Sequence, residues 1–96
     1  MDTILPSEIK ARLAQGEQLT LIDVREDEEV AEGMIQGAIH IPLGQLPERL
    51  SEIPQVDEVI LVCRSGNRSG RALGYLEANG YKGLKNMTGG MLEWED

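Results

Sequence analysis

The chain has 96 residues, 41% hydrophobic and 27% charged, the size and make-up of one small globular domain with a modest core. Acidic side chains outnumber basic ones by 17 to 9, and the net charge of −8 argues against nucleic acid and anionic membrane surfaces as partners. One cysteine and one histidine exclude an internal disulfide, a CxxC pair and a His-rich metal site. The residues after Met1 show no signal-peptide pattern, and no apolar run nears the roughly 20 residues of a membrane helix. The expected setting is a reducing cytoplasm, where the thiol stays free.

Short apolar runs alternate with helical spacing along the chain, the pattern of an α/β fold. Pro6 and Ser7 open a first helix, with Ser7 as N-cap, Glu8 at the positive dipole end, and Gly16 as the stop. Residues 19–24 form a near-continuous apolar strand, 27–32 a short acidic helix ended by Gly33, and 37–42 a brief strand closed by Pro42. A further helix over 43–50 turns Leu46 and Leu50 inward. Residues 59–62 are apolar without alternation, as a central strand covered on both faces requires. The clearest helix runs over 68–79, with Ala72, Leu73 and Leu76 as its apolar stripe. Gly70 and Gly74, four apart, cost helix propensity and predict a close approach to a neighbouring element. Residues 83–86 make a last strand, and Gly89-Gly90 lead into a terminal turn anchored by Trp94. With no linker or repeat, residues 1–96 are expected to form a single domain on a mainly parallel sheet.

The one cysteine, Cys63, follows the central strand directly and is succeeded by Arg64, Ser65, Gly66, Asn67, Arg68 and Ser69, after which the helix begins. No acid occurs between Glu58 and Glu77, so this acidic chain carries one positive island, and the cysteine lies in it. A thiol there meets converging backbone N–H groups and the positive end of a helix dipole. Such surroundings lower a cysteine pKa from about 8.5 to roughly 3.5–7.5, making thiolate the majority species at neutral pH. Gly66 allows a tight turn with positive φ. Ser65, Asn67 and Ser69 can cap the helix or donate to an anion, and Arg64 and Arg68 are candidate clamps for oxyanions. Nucleophilic attack needs the sulfur to face this loop and the solvent, not to turn inward. Cysteine-dependent phosphatases and arsenate reductases place their arginine six residues after the cysteine. Here Arg68 comes five after, and a residue spans up to about 3.5 Å of chain. The tighter cradle suits a single sulfur atom better than a phosphoryl group.

Cys63-Arg64-Ser65-Gly66-Asn67-Arg68-Ser69 resembles the active loop of rhodanese-type sulfurtransferases. Leu21-Ile22-Asp23-Val24-Arg25-Glu26, the stretch from Gly33 to Pro42, and Met87-Thr88-Gly89-Gly90-Met91-Leu92-Glu93-Trp94 are similar to three further signatures of that family, in the right order. Met34 stands where the family often has histidine, and Val30 where an aromatic is common. The resemblance implies a rhodanese-like three-layer α/β fold: a mostly parallel five-stranded sheet with helices on both faces. It implies a catalytic Cys63 that takes the outer sulfur of thiosulfate or a persulfide and holds it as a Cys63 persulfide. Residues 64–69 would bind the donor, and no cofactor or metal is needed. The expected partners are a small anionic donor such as thiosulfate and an external acceptor: cyanide, a small thiol, or a protein thiol such as that of a thioredoxin-like protein. Two other classes stay open, a non-catalytic sulfur carrier and, behind it, the phosphatase or arsenate reductase.

Asp23 and Arg25 are expected to support the cysteine loop through charge-assisted hydrogen bonds. His40 is read as structural, since attack by a preformed thiolate needs no general base. The acidic run Glu26-Asp27-Glu28-Glu29 is read as a solvated helix face.

Overall fold

The computed structural model describes residues 2–94. Five strands, β1 (Thr3–Ile4), β2 (Leu21–Asp23), β3 (Ile39–His40), β4 (Val59–Val62) and β5 (Leu84–Met87), form one sheet in the order β1-β5-β4-β2-β3. Every pairing is parallel. β4 is central: Val59 to Val62 are all buried, so no position along it faces water and none is polar. Val59 and Leu61 point to one face and Ile60 and Val62 to the other, each joining a separate apolar cluster. Burying side chains of this size contributes about 1.5–3 kcal/mol apiece.

The helices are α1 (Pro6–Ala14), α2 (Asp27–Val30), α3 (Leu46–Arg49), α4 (Asn67–Ala78) and α5 (Gly90–Trp94). α4 and α3 supply Ala72, Leu73, Leu76 and Leu46 to one face of the sheet. α1 and α5 cover the other with Ile9, Leu13, Met91 and Trp94. The three-layer α/β arrangement expected from the sequence is therefore what the chain adopts. Among the described residues no helix is long and apolar enough to cross a membrane.

Several local expectations are corrected. Ser7 is not the N-cap of α1: the cap is Leu5, Pro6 takes the first helical position, and Glu8 Oε1 accepts the Leu5 N–H at 3.0 Å. The helix expected over 43–50 is split into a 3₁₀ turn (Leu43–Gln45), the single α turn of α3 and a second 3₁₀ turn (Leu50–Glu52). Pro47 inside that stretch has no N–H to give, which limits a continuous ladder. Gly74 is exposed and a Cβ there would meet nothing within 4 Å, so it marks no close approach. Trp94 packs under α1 with the Lys10 ammonium 4.9 Å above its ring.

Parallel strands send all their carboxyl ends to one edge. The register pairs Asp23 with Val62 and Leu61 with Asn86, so the segments after β2, β4 and β5 emerge together. Open α/β sheets place ligands at this edge.

Candidate active site

Cys63 is the first residue past β4, and four residues later the chain is already in α4. So short a connection must reverse sharply, and Gly66 makes it possible with φ +103°, a left-handed value that disfavours any side chain. The turn brings the Gly66 N–H to 3.0 Å from Cys63 Sγ. The carbonyls of the same loop are pulled the opposite way. Met91 N–H donates to Cys63 O at 2.8 Å and Leu92 N–H to Arg64 O at 3.0 Å. The start of α5 thus binds the loop's acceptors and leaves its donors turned toward the sulfur.

This clamp explains the Gly89-Gly90 pair, which the sequence reading took only as a turn signal. Gly90 has φ +63°, and a Cβ on it would lie 2.4 Å from the backbone carbon and oxygen of Arg64. Only glycine lets α5 dock against the loop.

Cys63 has no solvent-exposed surface and packs within the cluster that holds Ile22, Val24 and Ala72. The expectation of a solvent-facing sulfur is corrected: the side chain is packed inside. The sulfur is nonetheless surrounded by donors, with Ser69 Oγ at 3.3 Å beside the Gly66 N–H. Burial pushes the thiol pKa up. The Ser69 hydroxyl and the N–H groups of Ser69, Gly66 and Ser65 outweigh it, and the net direction is down.

The loop residues divide by exposure. Arg64, Ser65 and Asn67 face solvent, Gly66 and Arg68 are half-buried, and Ser69 is fully buried. Arg68 is not an unengaged clamp. Its two terminal nitrogens reach Glu29 Oε1 and Oε2 at 2.6 and 2.8 Å. That bidentate contact, above all, holds the Glu29 carboxyl down to about 2, against the opposing effect of burial. The acidic run of α2 is therefore not merely a solvated face, because Glu29 reaches back to the loop's second arginine.

Asp23 and Arg25 are buried, at 0% and 6% exposure, and bind each other. Arg25 Nε donates to Asp23 Oδ1 at 3.0 Å and Nη2 to Oδ2 at 2.9 Å. Arg25 Nη2 also donates to Gly33 O at 2.8 Å. The pair secures the segment around α2, and among the described residues its hydrogen bonds reach the cysteine loop at one remove, through Glu29 and Arg68. Direct support of the loop by Asp23 and Arg25 is thus replaced by support from α5. His40 Nε2 donates to the Arg25 carbonyl at 2.7 Å and ties β3 to the same segment, a structural bond.

Beside the loop lies a cavity of about 460 Å³. Arg64, Arg25, Glu29 and Glu32 supply its charges, and Met34, Met91, Leu92 and Trp94 its apolar wall. Arg64 makes no ion pair among the described residues, so it is the positive charge left available at this mouth.

A donor-lined cysteine loop at the carboxyl edge of a parallel sheet is an arrangement that can stabilise an anion on sulfur. The rhodanese-like domain family matches residues 5–96, and the chain belongs to it. A sulfurtransferase of Allochromatium vinosum is 42% identical over 86 residues, spanning 90% of this chain and 80% of that one. A rhodanese-like domain protein from Staphylococcus aureus superposes with a TM-score of 0.93 at 38% identity, covering 100% of this chain and 93% of the other. The human single-domain sulfurtransferase TSTD1 superposes at 0.83 with 30% identity, covering 98% and 95%.

Proposed function

We propose that this chain moves sulfane sulfur through a persulfide on Cys63. The observation that carries the proposal is the paired orientation of the loop: carbonyls bound outward by Met91 and Leu92, and the Gly66 N–H directed at Sγ at 3.0 Å. Dipoles fixed before the reaction stabilise an anion at low reorganisation cost.

Because Cys63 is buried, the loop must first part to admit the donor, whose outer sulfur the Cys63 thiolate then attacks in the first half-reaction. The new S–S bond takes the thiolate's electron pair, and the donor's own bond breaks with its pair leaving on sulfite, from thiosulfate, or on a thiolate, from a persulfide. The terminal sulfur of Cys63 then carries the charge where the N–H groups converge. In the second half-reaction cyanide, a small thiol or a protein thiol attacks that terminal sulfur and regenerates the Cys63 thiolate. Arg64 at the cavity mouth draws an anionic donor toward the loop. Arg68 takes part only as far as the donor displaces Glu29. With one cysteine in the chain, the acceptor comes from outside.

Intact-protein mass spectrometry after thiosulfate treatment tests this. One added sulfur atom on the wild type, removable by cyanide and missing from Cys63→Ser, is the expected result. No added sulfur from thiosulfate or from a small persulfide removes the proposal. The buried sulfur favours one second reading, a carrier loaded by a partner protein that opens the loop. Loading by a protein persulfide alone would select it.

A further inference from the structure

One buried polar side chain behind the loop is not used by the mechanism above. Asn86, on β5, is 8% exposed and lies behind Ser69 and Gly66. Its Nδ2 donates to Gly66 O at 3.0 Å. A carbonyl can only accept, so this contact fixes which way round the amide sits, and Oδ1 must face Ser69. Oδ1 can only accept in turn, so the Ser69 hydroxyl donates to it. The hydroxyl has one proton and two claimants, Asn86 Oδ1 on one side and Cys63 Sγ at 3.3 Å on the other.

We propose that Asn86 is a positioning residue that holds the Ser69 proton away from the cysteine sulfur and so sets where the balance between thiol and thiolate lies. With the proton on the Asn86 side, Ser69 Oγ offers a lone pair to Cys63, which stays protonated and donates S–H to it. When the thiol ionises, the hydroxyl turns to the sulfur and gives up its bond to Oδ1. Ionisation therefore exchanges the Ser69–Asn86 hydrogen bond for one from Ser69 to the sulfur. Once turned, the hydroxyl joins the backbone N–H donors in favouring the anion, and its bond to Asn86 is what it gives up to do so. The same side chain, through Nδ2, keeps the Gly66 carbonyl turned away from the sulfur. These contacts concern the thiol of the proposed function, but they can be tested without sulfur transfer.

The charged groups around the sulfur come from other elements. Arg68 of α4 is paired with Glu29 of α2, and Asp23 at the end of β2 with Arg25. Arg64 follows on the loop itself, while Lys85 of β5 is paired with Glu58 and Glu93 of α5 is exposed. His40 of β3 is bound to the Arg25 carbonyl. None of these contacts involves Asn86, so substituting it leaves their charges in place.

The test is the pH dependence of Cys63 alkylation by iodoacetamide, with folding of each variant followed by circular dichroism. Asn86→Leu frees the Ser69 proton for the thiolate, and the midpoint is expected to fall by about one pH unit, the worth of one buried hydrogen bond. In the Ser69→Ala background the same substitution is expected to produce no such fall, because no hydroxyl proton remains to be released. Asn86→Asp holds that proton more tightly and adds a negative charge, so the midpoint is expected to rise by at least one unit. In the Ser69→Ala background the Asn86→Asp rise is expected to be smaller, since only the added charge then acts. A midpoint unchanged or raised by Asn86→Leu, or an equal fall with and without Ser69, overturns the proposal. Should Asn86→Leu fail to fold, Asn86→Asp decides: a rise larger with Ser69 than in the Ser69→Ala background supports the proposal, and an equal rise in both overturns it. If alkylation shifts as expected while no donor loads sulfur, the proposed function fails and the role of Asn86 stands.

Discussion

Glu29→Gln isolates the carboxylate that competes with an anionic donor for Arg68. Glu29 spans the guanidinium of Arg68 with contacts of 2.6 and 2.8 Å, and both side chains are about one-quarter exposed, at 26% and 29%. Exposed ion pairs contribute about 0.2–1 kcal/mol, and the bidentate fit puts this one at the upper end, about 1 kcal/mol. A donor dianion that uses Arg68 must first displace that carboxylate. Glutamine keeps an oxygen for the Glu26 N–H, which Glu29 Oε1 accepts at 2.9 Å, so the start of α2 is preserved. Removing about 1 kcal/mol of competition is expected to raise kcat/KM for thiosulfate about fivefold. A neutral donor, such as a dialkyl trisulfide, is expected to change less than twofold. The assay is initial rates with both donors, with cyanide as acceptor, at low ionic strength and again near 1 M salt, where charges are screened within about 3 Å. The thiosulfate advantage is expected to shrink at high salt. Equal gains for both donors, or no gain for thiosulfate at low salt, would refute competition between Glu29 and the donor for Arg68.

Three more outcomes follow from contacts elsewhere in the molecule. Gly90→Ala sets a Cβ 2.4 Å from the Arg64 backbone at a left-handed φ, and is expected to cost at least about 2 kcal/mol, a fall of roughly 10 °C in Tm, with slower sulfur loading. Asp23→Ala leaves Arg25 buried without its carboxylate and is expected to lower the unfolding free energy in urea by about 3 kcal/mol or more. Glu29 and Glu58 have carboxyls held near 2 by Arg68 and by Arg12 with Lys85, against an ordinary 4.5. Folded values below unfolded ones add stability that is present above about pH 4.5 and lost as the pH falls toward 2. Denaturation curves at stepped pH are expected to show that loss, with a shallower slope in Glu58→Gln.

The cysteine loop was readable because its cues are local. An unbroken apolar strand, a glycine able to take positive φ and a helix start sit within one short stretch, and β4 and the left-handed Gly66 occur where the sequence puts them. What escaped depends on residues distant in sequence. Glu29 and Arg68 are 39 positions apart, and charge patterning along α2 cannot show that one of its acids reaches α4. Asn86 interrupts a strand with a polar side chain whose purpose appears only when β5 pairs with β4. β1 is two residues long, too brief to show alternation, and is fixed by its pairing with β5. Asp23 and Arg25 read from the sequence as supports of the loop, because spacing along β2 does not show that the two bind each other.

The grip of α5 on the carbonyls of Cys63 and Arg64 also orders events in time. The thiol lies well before the segment that binds the carbonyls of its loop, so its surroundings are complete only once that segment has docked.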